Sequence, residues 1–518
     1  MGWNMNLCKL YTLVLFASVC CRLNGQVTAQ LSTSGSPTPI ILRDRETGSG
    51  NSWYSVGSYT PQSGLNEVYL TVCDSTGVTL VEKTMSTPGF AKNGYGIAVT
   101  GSSFYCCGEA ANSTDQHAFL TKLSANGSVL WERRLDSLSM AYLYQVATTS
   151  DGGCIAVGTG ALAKSVAVAV RLDSSGNVLW SYTYRGTQYG NYTFVDVIVD
   201  AANNAFICGR AYTFNAPSAA TLLKLDPNGS PVWAYAYSEA GFYYNFSDIT
   251  FEGNDIIATG SKTDNGINGY ARLVLARING NGICSYMVST GNTTGYYTPN
   301  ALLRSPYNTL IVGAHLSTGN GSAVLMEFDA GFNLMRGVEV GTQHLVTGIA
   351  MQPDGDMSFC GWSNNTASAF FEGMTDYSWN IGCGFVPLTD NMSSIQIAHT
   401  ALSYTEIYPT TVTAGSSATA LIDVARSACF NPVGIPETAS NGIQLFPNPA
   451  SAFTILRFDG ITTSNQVIRM YNTMGEMVSE TFVPRGTSQV EISTAGLCSG
   501  VYFIRLPDGE SRKLEVVQ

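Results

Sequence analysis

Seven glycines, each closing a short apolar run, recur along the chain at Gly57, Gly108, Gly158, Gly209, Gly260, Gly313 and Gly361. The gaps between them are 51, 50, 51, 51, 53 and 48 residues. Such a period means that one small structural unit is repeated, and that no copy can bury its apolar faces without its neighbours. The copy from Asp151 to Trp180 reads DGGCIAVGTGALAKSVAVAVRLDSSGNVLW. Asp151-Gly152-Gly153 is a turn whose glycines are free to take positive φ. Cys154 to Val157 is an apolar strand stopped by Gly158. Val166 to Leu172 is apolar on both faces, as a strand inside a packed sheet must be. Asp173-Ser174-Ser175-Gly176 is a tight turn with an Asx-type start, and Val178-Leu179-Trp180 opens the next strand. With Tyr144 to Ala147 ahead of it, each copy supplies four short antiparallel strands.

The later turn recurs at Asp74, Ser124, Asp173, Asp226, Asn279, Asp329 and Asp376, and three copies place a tryptophan four residues after the turn glycine: Gly127/Trp131, Gly176/Trp180 and Gly229/Trp233. Four-stranded units at this period predict an all-β fold, a seven-bladed β-propeller over residues 39–390, with an open solenoid of the same units as the alternative.

Only 12% of the 518 residues are charged and 53 are glycine, the composition of an extracellular β-protein. A net charge of −11 and a pI near 4.9 argue against nucleic acid or an anionic membrane as partner. Residues 1–25 read as a signal peptide: Lys9 supplies positive charge, and Leu10 to Cys21 an apolar stretch too short to span a bilayer. Cys20 and Cys21 lack the small preceding residue of a lipoprotein site. No later segment reads as transmembrane. Ten cysteines follow the signal. Cys107, Cys208 and Cys360 each precede a closing glycine and read as small buried apolar residues. Cys383 and Cys429 bracket an irregular segment that an oxidising compartment would let them clamp. No CxxC spacing occurs, and neither a metal nor a cofactor is expected. Residues 391–440 read as a docking segment and linker, with strand-like runs Ser394 to His399 and Thr419 to Ala425 docking where the last blade meets the first.

From Asn441 the pattern changes to short alternating strands separated by turn chemistry, enough for a small Ig-like β-sandwich over 441–518. LFPNPA at Leu445–Ala450, YNTMGEMV at Tyr471–Val478, GVYFIRL at Gly500–Leu506 and KLEVV at Lys513–Val517 resemble the C-terminal sorting domain of Bacteroidetes type IX secretion substrates. That resemblance implies a sorting signal containing Pro447, Asn448, Pro449, Gly475, Glu476, Gly500 and Tyr502. It implies the type IX secretion machinery as partner, export through the periplasm, and a secreted or cell-surface location outside the outer membrane. Family members are attached to surface lipopolysaccharide or released. The blades resemble secreted bacterial propeller repeats, which implies a fold and no activity.

Catalytic motifs are missing. His117, His315, His344 and His399 have neither HExxH nor GxSxG around them. The Asp-turn-Trp pattern differs in spacing from the sialidase Asp box. Asp226-Pro227-Asn228-Gly229 and Gln352 to Asp356 offer too few oxygens for calcium. More informative is the aromatic character of the links between blades. Tyr189, Tyr192, Tyr243, Tyr244, Tyr296 and Tyr297 are expected either to cap blade interfaces or to form a ligand-binding platform at one mouth of the propeller, flanked by Arg210 to Ala216 and Ser261 to Asn268. Three functions stay open: a non-catalytic binding or adhesion module for a glycan or protein ligand, a glycan-active enzyme using axial acids such as Asp196, Asp248 and Glu109, or a structural surface repeat protein.

Overall fold

The computed structural model describes residues 40–375, six short strands between 386 and 423, and residues 444–517, with brief interruptions in each stretch. The chain divides between residues 430 and 431 into two compact units.

The first unit is a seven-bladed β-propeller. Its seven antiparallel sheets come from residues 40–85, 91–135, 139–186, 191–238, 242–290, 297–342 and 344–375, one blade after another. Within each blade the strands lie in sequence order, and the middle ones carry the apolar load. Ser165–Leu172 is buried at every position after the first, and Ser322–Phe328 throughout.

The recurrent glycine marks the place where each innermost strand bulges. In all seven blades one residue of that strand is skipped in the pairing: Arg43, Tyr95, Tyr144, Val195, Ser247, Asn300 and Thr347. A bulge kinks its strand and pushes backbone toward the neighbour. A Cβ on Gly57, Gly108, Gly158, Gly209 or Gly260 would lie 1.9–2.0 Å from a carbonyl oxygen of the bulged strand. Only glycine fits. The periodic glycine therefore signals seven bulges, and the bulges aim seven side chains toward the axis.

The second periodic device joins one blade to the next. Gly176 has φ +82°, as its turn requires, and a Cβ there would stand 2.7 Å from the Trp131 ring of the preceding blade. Gly229 caps Trp180 in the same way. Asp173, Asp226, Asn279 and Asp329 each accept backbone N–H groups two and four residues on, which holds the turns; the Asp226 loop is a plain turn of this kind.

Among the described residues, blade seven meets blade one through side-chain contacts. Thr347 Oγ1 donates to the Leu42 carbonyl at 2.9 Å, Gln352 Nε2 to the Asn51 carbonyl at 2.8 Å, and Arg45 to Ser358. Ile40, Leu42, Tyr69 and Cys360 pack at that junction.

The segment beyond blade seven departs from the sequence-based expectation. Its described strands do not gather at the junction of blades seven and one; they follow one another backward around the rim as a belt. Val386–Pro387 pairs with the outer strand of blade six, Met392–Ser394 with blade five, Ala398–Ala401 with blade four, Tyr404–Pro409 with blade three, Val412–Ala414 with blade two and Leu421–Asp423 with blade one. Every pairing is antiparallel; it lies at the middle of the outer strand in blade six and toward its C-terminal half in blades one to five. Six blades thereby gain a fifth strand. Exposed strand edges attract such pairing, because their N–H and C=O groups otherwise lack partners.

Cys107, Cys208 and Cys360 are fully buried. Cys383 and Cys429 lie outside the described residues.

The second unit holds a three-stranded and a four-stranded sheet around Leu456, Ile468, Met470, Ile492, Ile504 and Leu514. Asn448 fastens its start to its final strand. The amide donates to the Lys513 carbonyl at 2.9 Å, and its oxygen accepts from Glu515 N at 2.8 Å.

Candidate functional site at the propeller axis

The seven inner strands enclose an axial channel of about 680 Å³. Their free edges turn a ring of backbone N–H groups inward at the level just past each bulge. The residues immediately after the bulges are Asp44, Gly96, Gln145, Asp196, Asp248, Ala301 and Gly348, and the polar ones among them satisfy that ring. Asp44 accepts from Ile97 N of blade two at 2.9 Å and from Gln145 Nε2 at 3.1 Å. Asp196 accepts from Ile249 N of blade five at 2.9 Å, and Asp248 from Leu302 N of blade six at 2.6 Å. Asn300 Nδ2 continues the pattern to the Val346 carbonyl at 3.1 Å. Converging donors at a protein interior favour strong acceptors, which accounts for three aspartates at equivalent positions.

Two of the acids expected at the axis do converge. Asp196 and Asp248 hydrogen-bond to each other directly. Burial pushes both carboxyls up. Asp248, which also feels the Asp196 charge, is pushed far above the usual range and holds the shared proton. Asp44, also raised by burial, reaches about 6. Glu46 lines the channel and keeps exposed surface there. Desolvation by the crowded channel wall first, then the Asp44 charge, raise it to about 8. Glu109, the third expected acid, is absent from the channel wall and stands at the mouth. It accepts from Tyr95 Oη at 2.6 Å, Asn93 Nδ2 at 3.2 Å and the Gln116 amide.

The six tyrosines expected as a platform separate into two groups. Tyr192, Tyr244 and Tyr297 are 1–2% exposed and belong to the cores between adjacent blades, so these three are packing residues. Tyr189, Tyr243 and Tyr296 are half-buried. The aromatic surface at the mouth is built instead from bulge-level residues. Tyr95 and Tyr144 lie 5.8 Å apart between centroids, and Tyr142 stacks on Tyr144 at 5.8 Å with 10° between planes. Arg43 lies 5.2 Å over the Tyr95 ring, and Arg210 4.9 Å over Tyr212. These residues follow blades one to four in order, an arc of half-buried rings with a guanidinium at each end. Blades five to seven present Ser247, Asn300 and Thr347 at the same level. Arg43, Asp44 and Glu46 escaped sequence reasoning. Counting 12 or 13 residues back from each closing glycine would have found Asp44 together with Asp196 and Asp248.

His117 and His344 are buried, and His315 pairs with Ser317 Oγ at 3.0 Å. Among the described residues no group of three or more His, Cys, Asp or Glu side chains is arranged to hold a metal ion, and no helix is long and apolar enough to cross a membrane.

No curated protein matches the sequence. Among solved structures, the chain is similar to a periplasmic gluconolactonase of Pseudomonas aeruginosa, at 10% identity and TM-score 0.36, over 71% of this chain and 99% of that one. A protein of unknown function from Dyadobacter fermentans aligns at 9% identity and TM-score 0.38, over 68% and 98%. The β-propeller domain of the Trilobed protease from Pyrococcus furiosus, described as having an open velcro topology, aligns at 10% and 0.37, over 68% and 99%. Residues 444–517 match the family described as Secretion system C-terminal sorting domain. Of the motif residues, Asn448 makes the two backbone bonds given above, Tyr502 is buried in the core and Gly500 opens its strand. Pro447, Pro449, Gly475 and Glu476 lie outside the described residues. The second unit is therefore a secretion sorting domain, and the chain it ends is a β-propeller protein exported by the type IX secretion system.

Proposed function

We propose that the propeller is a non-catalytic binding module, displayed on the cell surface or released after export, whose ligand is a glycan held at the axial mouth. The observation that carries this reading is the contiguous run of Tyr95, Tyr144 and Tyr142, half-buried, two of them lining the channel, with half-buried Tyr212 following in blade four. Each well-placed ring adds about 0.5–1.5 kcal/mol beyond its buried area, so three or four rings support micromolar to millimolar binding without buried charge. Of the tyrosines expected from the sequence, Tyr189, Tyr243 and Tyr296 retain exposed surface on the same face and extend it.

Hydrolysis by axial acids is the competing reading, since Asp196 and Asp248 meet in the channel. Their direct hydrogen bond puts them closer than the roughly 5–5.5 Å of a retaining pair or 6.5–9.5 Å of an inverting one. Each also accepts a backbone N–H of the next blade. Both features favour a latch between blades over an acid and a nucleophile. The test is a glycan array probed with wild type and with a Tyr95→Ala/Tyr144→Ala variant. The reading requires glycans retained by wild type and lost by a variant that melts at nearly the same temperature. Equal binding by both proteins would remove the arc from the ligand site, and turnover of a bound glycan that Asp248→Asn abolishes would establish the competing reading.

A further inference from the structure

We infer that the glycan taken at this mouth is acidic, an oligosaccharide bearing carboxylates on its sugar rings, with Arg43 and Arg210 receiving those carboxylates at the two ends of the tyrosine arc. The inference rests on the binding reading above and adds the chemical class of the ligand.

The first support is the state of the two guanidiniums. The chain has 37 Asp and Glu against 26 Lys and Arg, so a basic side chain here has acids in surplus to pair with. Several others in the propeller do pair: Lys92 with Glu132, Arg134 with Asp115, Arg171 with Asp151, Lys262 with Glu239, and Arg272 with Asp264, while Lys122 and Arg133 bond backbone carbonyls. Neither Arg43 nor Arg210 has a carboxylate partner among the described residues, and the buried Nε of Arg43 has no acceptor. Each lies over a tyrosine face. A guanidinium so placed keeps its planar fork of donors free for a carboxylate, which it can grip bidentately.

The second support is that Asp44 and Glu109, the acids beside Arg43 and Tyr95, are already engaged. Asp44, next to Arg43 in the chain, accepts from Ile97 N, Gln145 and its neighbour Arg45 N. Glu109 accepts from Tyr95, Asn93 and Gln116. The third is the order of groups around the axis. Cation, ring, ring pair, ring and cation follow one another over four blades, matching an oligosaccharide whose pyranose faces lie on the rings while acidic groups project at its edges. Serine, asparagine and threonine opposite suit hydroxyl groups.

The experiment is titration calorimetry on the purified full chain. The probes are tetramers of galacturonate and of mannuronate and a hyaluronan tetramer, each paired with its methyl ester, with a neutral β-glucan tetramer as reference. At least one acidic probe is expected to bind, and its ester at least tenfold more weakly. Arg43→Gln and Arg210→Gln should each weaken the acid about 10-fold or more and the ester hardly at all, as charge-assisted bonds of about 1.5–3 kcal/mol require. Tyr144→Ala should weaken acid and ester by the same factor. If ester or neutral glucan binds as well as the acid, and the arginine variants leave affinity unchanged while Tyr144→Ala reduces it, the acidic class is wrong and the binding mouth stands. If no probe binds, acidic or neutral, the inference fails together with the glycan reading.

Discussion

The indole Nε1 of Trp180 donates a 2.8 Å hydrogen bond to the backbone carbonyl of Pro227, 47 residues further on and in the next blade. The same bond runs from Trp131 to Ser174 and from Trp233 to Gly280. The tryptophan ring of one blade thus seats the turn glycine of the next. Trp180 is 7% exposed and sits in the core shared by blades three and four. Trp180→Ala should cost about 3–5 kcal/mol, and Trp180→Phe, which keeps most of the packing but loses the bond, about 1–2 kcal/mol. Denaturant midpoints give both values, and a Phe variant as damaged as the Ala variant would show that the bond, not the ring, holds the blades.

Gly158 presents a sharper case. A Cβ there would overlap the Tyr142 carbonyl oxygen at 1.9 Å, and backbone cannot rotate away as a side chain can. Gly158→Ala should destabilise the propeller by more than about 3 kcal/mol, beyond ordinary overpacking, because the bulge must straighten to admit it. The readout is the melting temperature together with circular dichroism. A variant with native stability would mean that the bulge is not needed.

Stability should also vary with pH in a direction set by the channel acids. Asp44 and Glu46 have ordinary values of 3.8 and 4.5 and are raised in the folded protein to about 6 and about 8. The unfolded chain therefore releases these protons first as pH rises. Well below pH 3.8 both states are protonated and the groups contribute nothing to the pH dependence. Between there and pH 8 the folded state binds more protons, so stability falls with rising pH. The melting temperature is expected to decline from pH 5 to 8, and Glu46→Gln to flatten the upper part of that decline. Calorimetric scans across this range check it; a Glu46→Gln profile parallel to wild type would place the titration elsewhere.

The two-unit division and the sorting-family match at 444–517 predict separable behaviour. A chain ending at residue 430 should fold as a propeller and stop in the periplasm. Asn448→Ala, which strips two backbone bonds from the first turn of the sorting unit, should lower export without unfolding the propeller. Antibody labelling of intact cells, with fractionation, distinguishes the compartments. Surface labelling of the truncated chain at wild-type level would locate the export signal elsewhere.

How much of this was written in the sequence depends on what each residue contacts. The closing glycines and turn aspartates were legible, because each answers a local backbone demand repeated seven times. The tyrosines were only half legible. Side chains alternate along a strand, and the bulge shifts that alternation by one. Three residues before the bulge the side chain faces a neighbouring blade, as Tyr192, Tyr244, Tyr297 and the buried Lys92 and His344 all do. At the bulge itself it faces the axis, as Tyr95 and Tyr144 do. Without the bulge position, links rich in tyrosine look alike. The belt was illegible for a different reason: its strands of two to six residues are too short for any alternation to register.

The belt also sets the mechanical behaviour of the molecule. A load applied at the C-terminal end reaches blade one first, where Leu421–Asp423 lies, and then blades two to six in turn. Each step breaks the pairing of only a few residues, in the peeling geometry that separates hydrogen bonds one after another rather than all together. Freed from residue 386 to 423, the belt has a fully extended length of roughly 130 Å at about 3.5 Å per residue. The ring of blades carries none of that extension, since its own strands come from residues 40–375. A pulled molecule therefore lengthens stepwise while its axial mouth keeps its shape, a shock absorber wound around the propeller it protects.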